Sequence, residues 1–472
     1  ETRDPGQTMD QDFAEFYQQW TTEARYGSPL VDHLPTVPGI PAPMGVLGHH
    51  IGANETLTYY EDILGYYRAL AQATPRVQVE TIGESDEGRE LVVVWVSSDE
   101  NLAGLEENRR NLARIADPRG LSEEEVREII RDTKPNYHVM GGLHSGETGA
   151  PEMLMEMVYR LAAETSPFIN RIRDNVIVSV TPVADPDGRD RYVDWYYQGL
   201  ELEAAREREA QAAEDEEAEE TDSTSAGGGE EDEDDERSSR PPSVPYWGTY
   251  VLHDNNRDIN LSQVSMRALT DWYYTAYPPV MHDLHESGTL LYTYSGGPPQ
   301  NPNLDPLLFS DLAWFSNWEM SQMSKWEMPG VYTHSFMDAW SPGYLGSVSY
   351  NHNGIMRMYE TQRPRDLDLD SLRSAKEDEE ATKGEDAADA DEAAEGAEAS
   401  ASSGEPDDTE AKPEIRATRH LGAPTGRGGS QPREWYRGHP VPDDAVETFT
   451  RRQNVNYMQT GVLSALQLTA GF

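Results

Sequence analysis

Residues 175–181 read Asn-Val-Ile-Val-Ser-Val-Thr, a run dominated by β-branched residues and free of charge. A strand of that kind has no face to offer to water, so it must be covered on both sides. Other segments repeat the demand. Val77 to Ile82 and Leu91 to Val96 read as strands around the turn 83–89. Tyr137 to Leu143, Pro279 to His285 and Thr289 to Tyr294 are similar in character. Between them lie stretches of helical period: Leu57 to Ala73, 122–131 opening on Ser122 and three glutamates, Gly149 to Val158, and Leu261 to Ala276. Strands alternating with helices predict an α/β fold, a three-layer α/β/α sandwich around a mixed, mostly parallel sheet.

Two segments do not belong to this pattern. Residues 201–240 and 366–412 each hold 18 Asp/Glu against 4 Lys/Arg. Low hydrophobicity with high charge cannot offset the entropy of ordering, so both are expected to be disordered or only partly helical insertions. The first 55 or so residues, rich in proline, glycine and aromatics, are expected to form an extended N-terminal arm. Residues 56–472 would then form one catalytic domain carrying both insertions.

The net charge of -48 argues against nucleic acid or an anionic membrane as partner. The charge outside the insertions suggests an acidic surface of the halophilic kind, with plain solubility as the alternative. No apolar run reaches the length of a membrane span. Cysteine is absent, which removes disulfides, thiolate metal ligands and a cysteine nucleophile. The chain starts at Glu1 rather than Met. The expectation is a secreted or periplasmic bacterial protein with its leader removed, a cytoplasmic one remaining open.

Five short segments at strand ends or turns carry reactive side chains: His144-x-x-Glu147, Asp185-Pro186-Asp187-Gly188, 254–258 (Asp-Asn-Asn-Arg-Asp), 282–286 (His-Asp-Leu-His-Glu) and Met358-Tyr359-Glu360-Thr361. An imidazole and a carboxylate together, where a strand gives way to a helix, suit a zinc ion with one open position. Asp-Pro-Asp-Gly is also an ordinary tight turn.

In this order the segments resemble the zinc carboxypeptidase family of the carboxypeptidase A type (peptidase family M14), and most closely its large bacterial members. The resemblance runs from about Tyr59 to Glu360 and implies one Zn2+ per chain. His144 and Glu147 would be two ligands, and a histidine at a later strand end the third. Asn256 and Arg257 would hold a substrate's terminal carboxylate, Glu360 would be the catalytic base acting on zinc-bound water, and Tyr344 the family's mobile tyrosine. Asp185 stands where the family has asparagine. No arginine between that turn and Asn256 takes the place of the family's oxyanion arginine. For the third ligand, side chains alternate along a strand, so His282 and His285 face opposite ways. His285 lies nearer the carboxyl end, and Asp283 on its own face can support it, so His285 is expected to be the ligand and His282 a packed histidine.

The resemblance implies a metallocarboxypeptidase that cleaves the C-terminal bond of peptides. Alternatives are a zinc amidase acting on N-acyl amino acids or peptidoglycan peptides, and a zinc-binding module without turnover.

Overall fold

The computed structural model describes residues 2–220, 253–294, 300–333, 341–369, 441 and 444–471. Eight strands form one sheet: β1 (Val77–Glu84), β2 (Glu90–Val96), β3 (Asn136–Met140), β4 (Ile177–Thr181), β5 (Val280–Ser287), β6 (Leu291–Thr293), β7 (Val331–Tyr332) and β8 (Ile355–Gln362). Their order is β1-β2-β4-β3-β5-β8-β6-β7. The four central strands, β4, β3, β5 and β8, run parallel. The β1–β2, β2–β4 and β6–β8 pairs are antiparallel.

Both faces of the sheet are covered, as the strand composition demands. Val92, Val94, Val96, Val139, Val178 and Val180 point into one core, with the helices Tyr60–Ala73, Gly149–Ala163 and Arg451–Gly471. Val93, Trp95 and Ile177 point the other way, against Leu105, Trp272 and Ala276. The period of two thus divides a single apolar run between two helical layers.

The helix Arg451–Gly471 is buried along nearly its whole length, although it carries many polar residues. The buried ones find partners. Arg452 makes a bidentate ion pair with Glu156, at 2.6 and 3.0 Å, and Gln459 donates to the same carboxylate at 3.1 Å. Asn454 donates to Glu286 Oε1 at 3.0 Å and to the Gln362 carbonyl at 2.8 Å. The N-terminal segment clasps this helix. Asn456 donates to Thr21 and to the Tyr26 carbonyl, and Ser28 meets Thr460 at 2.7 Å. That segment is more structured than an extended arm, since Gln11–Trp20 is a helix capped by Asp10 and its Phe13 and Tyr17 enter the main core.

Acidic composition does not prevent helix in the first half of the first insertion. Residues 201–220 continue the helix Pro186–Glu220, because glutamate, alanine and arginine are all good helix formers. Residues 221–240 and most of the second insertion, 370–412, lie outside the described residues.

Candidate metal centre

Strand order reverses at β3, with β4 on one side and β5 on the other. Open parallel sheets leave a crevice at such a point, at the carboxyl ends of the strands. The candidate residues gather there. His144 and Glu147 follow β3, Asp185 follows β4, His285 lies near the end of β5, and Glu360 near the end of β8.

His144, Glu147 and His285 form a group whose donor atoms all lie within 4.8 Å of one another. Both histidines turn Nδ1 toward Glu147, His144 to Oε1 and His285 to Oε2, each at 2.8 Å. Their Nε2 atoms are held from behind by carboxylates, His144 by Asp254 at 3.2 Å and His285 by Asp283 at 2.7 Å. A carboxylate behind the far nitrogen fixes ring orientation and tautomer, which leaves Nδ1 free to ligate. Two imidazoles and one carboxylate are also a donor set that suits zinc with an open position. The field agrees. Burial disfavours a charged His285 ring, but Asp283 and Glu147 outweigh it and hold its pKa well above the usual value. Burial raises the Glu147 carboxyl, yet the two histidines pull it down to about 2. The centre of the group therefore favours positive charge.

His282 lies on the opposite face. Its ring sits 4.3 Å from Tyr359, its Nδ1 meets the Tyr137 hydroxyl at 2.9 Å, and burial drives its pKa well below the usual value. With 12 histidines in the chain, the strand alternation alone separates these two. His285→Ala should lose stoichiometric zinc by metal analysis of purified protein, and His282→Ala should keep it. Full zinc in His285→Ala would remove His285 from the ligand set.

Glu360 pairs across the β5–β8 ladder with His285. Burial pushes its carboxyl up to about 7 against the opposing pull of His285 and His144. Asn256 lies with its Nδ2 3.0 Å from His285 Nε2, and its Oδ1 accepts from the Leu345 backbone at 3.0 Å. Arg257 is exposed and stacks over the Tyr344 ring at 4.5 Å. The fold thus brings Tyr344 beside the Asn256-Arg257 pair.

Two residues of the 254–258 segment were given no individual role from the sequence. Asp254 is the support behind His144. Asn255 is buried and donates to the Leu143 carbonyl and to Asp185 Oδ2, each at 3.2 Å, so it ties together the loops after β3 and β4. The signal for both is the density of Asp and Asn at 254–258, since such residues fix local backbone through their short side chains. Asp185 also accepts from the Gly188 amide at 3.0 Å, and a β-carbon on Gly188 would lie 2.3 Å from its Oδ2. That close approach requires glycine. Burial raises the Asp185 pKa from 3.8 to about 7. A carboxyl raised in this way costs nothing below its unfolded pKa, and its cost grows until pH passes the folded value. Asp185→Asn removes that titration. Its unfolding free energy relative to wild type should rise by on the order of 2–4 kcal/mol between pH 4 and pH 8, as measured by urea unfolding. A constant difference across that range would show that Asp185 is not a buried titrating group.

A candidate single-metal group at the switch point of a mixed α/β sheet points to a metal-dependent hydrolase of the α/β class. The chain matches the zinc carboxypeptidase family, peptidase family M14, over residues 63–355, more than half of its length. It belongs to that family. The matched span includes all three clustered residues, His144, Glu147 and His285, and Glu360 lies just beyond it. Among solved structures, a metallo-carboxypeptidase from Burkholderia cenocepacia is similar at 11% identity, with a TM-score of 0.40 over 65% of this chain and 60% of that one. Carboxypeptidase A from Helicoverpa armigera is similar at 16% identity, with a TM-score of 0.36 over 65% and 64%. A Pseudomonas aeruginosa metallo-carboxypeptidase, solved with (2-guanidinoethylmercapto)succinic acid, is similar at 12% identity, with a TM-score of 0.39 over 65% and 60%. This chain therefore spans under two thirds of the length of each of these three. Comparison with curated proteins returns no match. Among the described residues, no helix is long and apolar enough to cross a membrane.

Proposed function

We propose that the protein is a carboxypeptidase that removes the C-terminal residue of peptides. The observation that carries this reading is the ligand group with Glu360 beside it on the neighbouring strand. Zinc held by His144, Glu147 and His285 would polarise the scissile carbonyl and acidify water. The chain's own residues supply the rest. Glu360 takes a proton from the attacking water and passes it to the leaving amine. Its raised pKa favours holding that proton between the two steps, although a divalent cation nearby draws the value down again.

Arg257 receives the substrate's terminal carboxylate through its planar pair of N–H donors. Tyr344 supports the guanidinium from below, and Asn256, fixed by Leu345 and His285, positions the arginine's backbone. Any substrate ending in a carboxylate satisfies Arg257, so a zinc amidase acting on N-acyl amino acids shares the same site. A matched panel separates them. Free-acid peptides should be cleaved at least about a hundredfold faster than their C-terminal amides, since the amide leaves the guanidinium unpaired. Equal rates on both would remove Arg257 from the reading, and cleavage of N-acyl amino acids alone would favour the amidase.

A further inference from the structure

Three segments that carry candidate site residues converge on one buried side chain. Glu286 follows His285 on β5, and Gln362 lies two residues past Glu360 on β8. Gly149 lies two residues past Glu147, at the start of the helix Gly149–Ala163. Asn454, on the helix Arg451–Gly471, joins all three. Its Nδ2 donates to Glu286 Oε1 at 3.0 Å and to the Gln362 carbonyl at 2.8 Å. Glu286 Oε1 in turn accepts from the Gly149 amide at 2.9 Å. All four residues are buried.

The chemistry of the junction selects its residue types. A carboxylate and a carbonyl are both acceptors, so the group between them must present two donors, as a side-chain amide nitrogen does. Aspartate would add a third acceptor there, and serine could serve only one of the two. The other end of the amide is fitted as closely. A β-carbon on Gly149 would lie 1.9 Å from Asn454 Oδ1 and 2.6 Å from Glu286 Oε1, so the helix start can approach this far only at glycine. Glu286 also takes up a free amide of the first helical turn, where the helix end favours negative charge.

Asn454 therefore acts at one remove from the chemistry, along two arms. One runs through Glu286 and Gly149 to the backbone that carries His285 and Glu147. The other runs through the Gln362 carbonyl to the strand that carries Glu360. A site holds its geometry only when the residues behind it are themselves locked. We infer that Asn454 is a positioning residue, which fixes the ligand group and Glu360 relative to one another. The zinc half of this inference stands on the ligand group alone, and the turnover half rests on the carboxypeptidase reading.

The test compares Asn454→Ala with Asn456→Ala. Asn456 is an equally buried asparagine on the same helix, but its partners are Thr21, the Tyr26 carbonyl and Arg452. Both variants thus carry the general cost of losing a buried amide. Zinc affinity is read by competition with a chelator, on chains shown to be folded by circular dichroism. Asn454→Ala should bind zinc about tenfold more weakly than Asn456→Ala, the scale expected when support behind a metal ligand is lost. At saturating zinc its kcat on a free-acid peptide should fall by a similar factor. KM should change little, because the proposed carboxylate contact at Arg257 is untouched. Asn454→Ser keeps one donor and should fall between, and it replaces the alanine variant if that chain does not fold. Gly149→Ala should also weaken zinc. Combined with Asn454→Ala, which vacates the nearest clashing atom, it should cost less than the two separate effects together. Zinc affinity that follows Asn454 in a protein whose wild type cleaves no peptide would uphold the positioning role and sink the carboxypeptidase reading. Equal zinc affinity and kcat in Asn454→Ala and Asn456→Ala, or strictly additive effects at Gly149 and Asn454, would overturn the inference.

Discussion

Glu360→Gln is expected to lose peptide hydrolysis by about 10²- to 10⁴-fold while binding one zinc per chain as wild type does. Glutamine matches glutamate in shape, so the β8 backbone and its pairing with His285 have no reason to move. What it lacks is a basic oxygen. If Glu360 carries the proton from water to the leaving amine, both transfers lose their carrier in this variant. Because Glu360 is not among the three clustered donors, metal content should not follow activity down. Loss of zinc together with activity would make Glu360 part of the ligand set. Undiminished turnover with zinc bound would mean that another group moves the proton. KM should change little, since on the proposed reading the substrate would be held elsewhere, by Arg257.

The second large effect concerns stability. Arg357 and Glu319 are both completely buried and paired, and the guanidinium also bonds the Tyr137 hydroxyl at 3.2 Å. Arg357→Leu would strand the Glu319 carboxyl in a dry core, beneath the strand that carries Glu360. Removing one member of a buried pair typically costs about 3–5 kcal/mol, because the other charge is left uncompensated. The sign with pH follows. Burial already raises the Glu319 pKa despite Arg357, and without the arginine it rises further. A folded pKa above the unfolded one means the penalty is absent in acid and grows as pH increases. The variant should therefore lie closest to wild type near pH 4 and furthest from it at neutral pH, by chemical denaturation. Glu319→Met added to Arg357→Leu should recover most of the loss. A variant equally destabilised at every pH, with no recovery in the double substitution, would place the damage in packing rather than in charge.

The sheet was readable because its strands declare themselves. Val92 to Val96 and Ile177 to Val180 are too apolar for any half-exposed place, and they lie in the paired strands β2 and β4, which are covered on both sides. His285 and His282 were separable because alternation along a strand is a rigid rule. The helix Arg451–Gly471 was not readable. It opens Arg-Arg-Gln-Asn-Val-Asn, which looks like solvated sequence. It is buried because Glu156, Glu286 and the Thr21–Ser28 segment supply partners from three distant parts of the chain. The pairing of Arg257 with Tyr344 was hidden for the same reason. Local residue types predict strands and turns, whereas a contact between distant loops depends on a tertiary arrangement that they do not encode.

That clasp of the two chain ends has a consequence for biogenesis. Asn454 holds Glu286, and Glu286 holds the Gly149 amide just past the ligand loop. A nascent chain that has already exposed His144, Glu147, His285 and Glu360 still lacks the helix that steadies the loop between them. Part of one sheet face, already packed by the helices Tyr60–Ala73 and Gly149–Ala163, is completed only when residues 451–471 leave the ribosome. Contacts this far apart in sequence close late and slowly. The candidate ligands are thus translated before the helix that steadies their loop, and the site can be set only once residues 451–471 have been made.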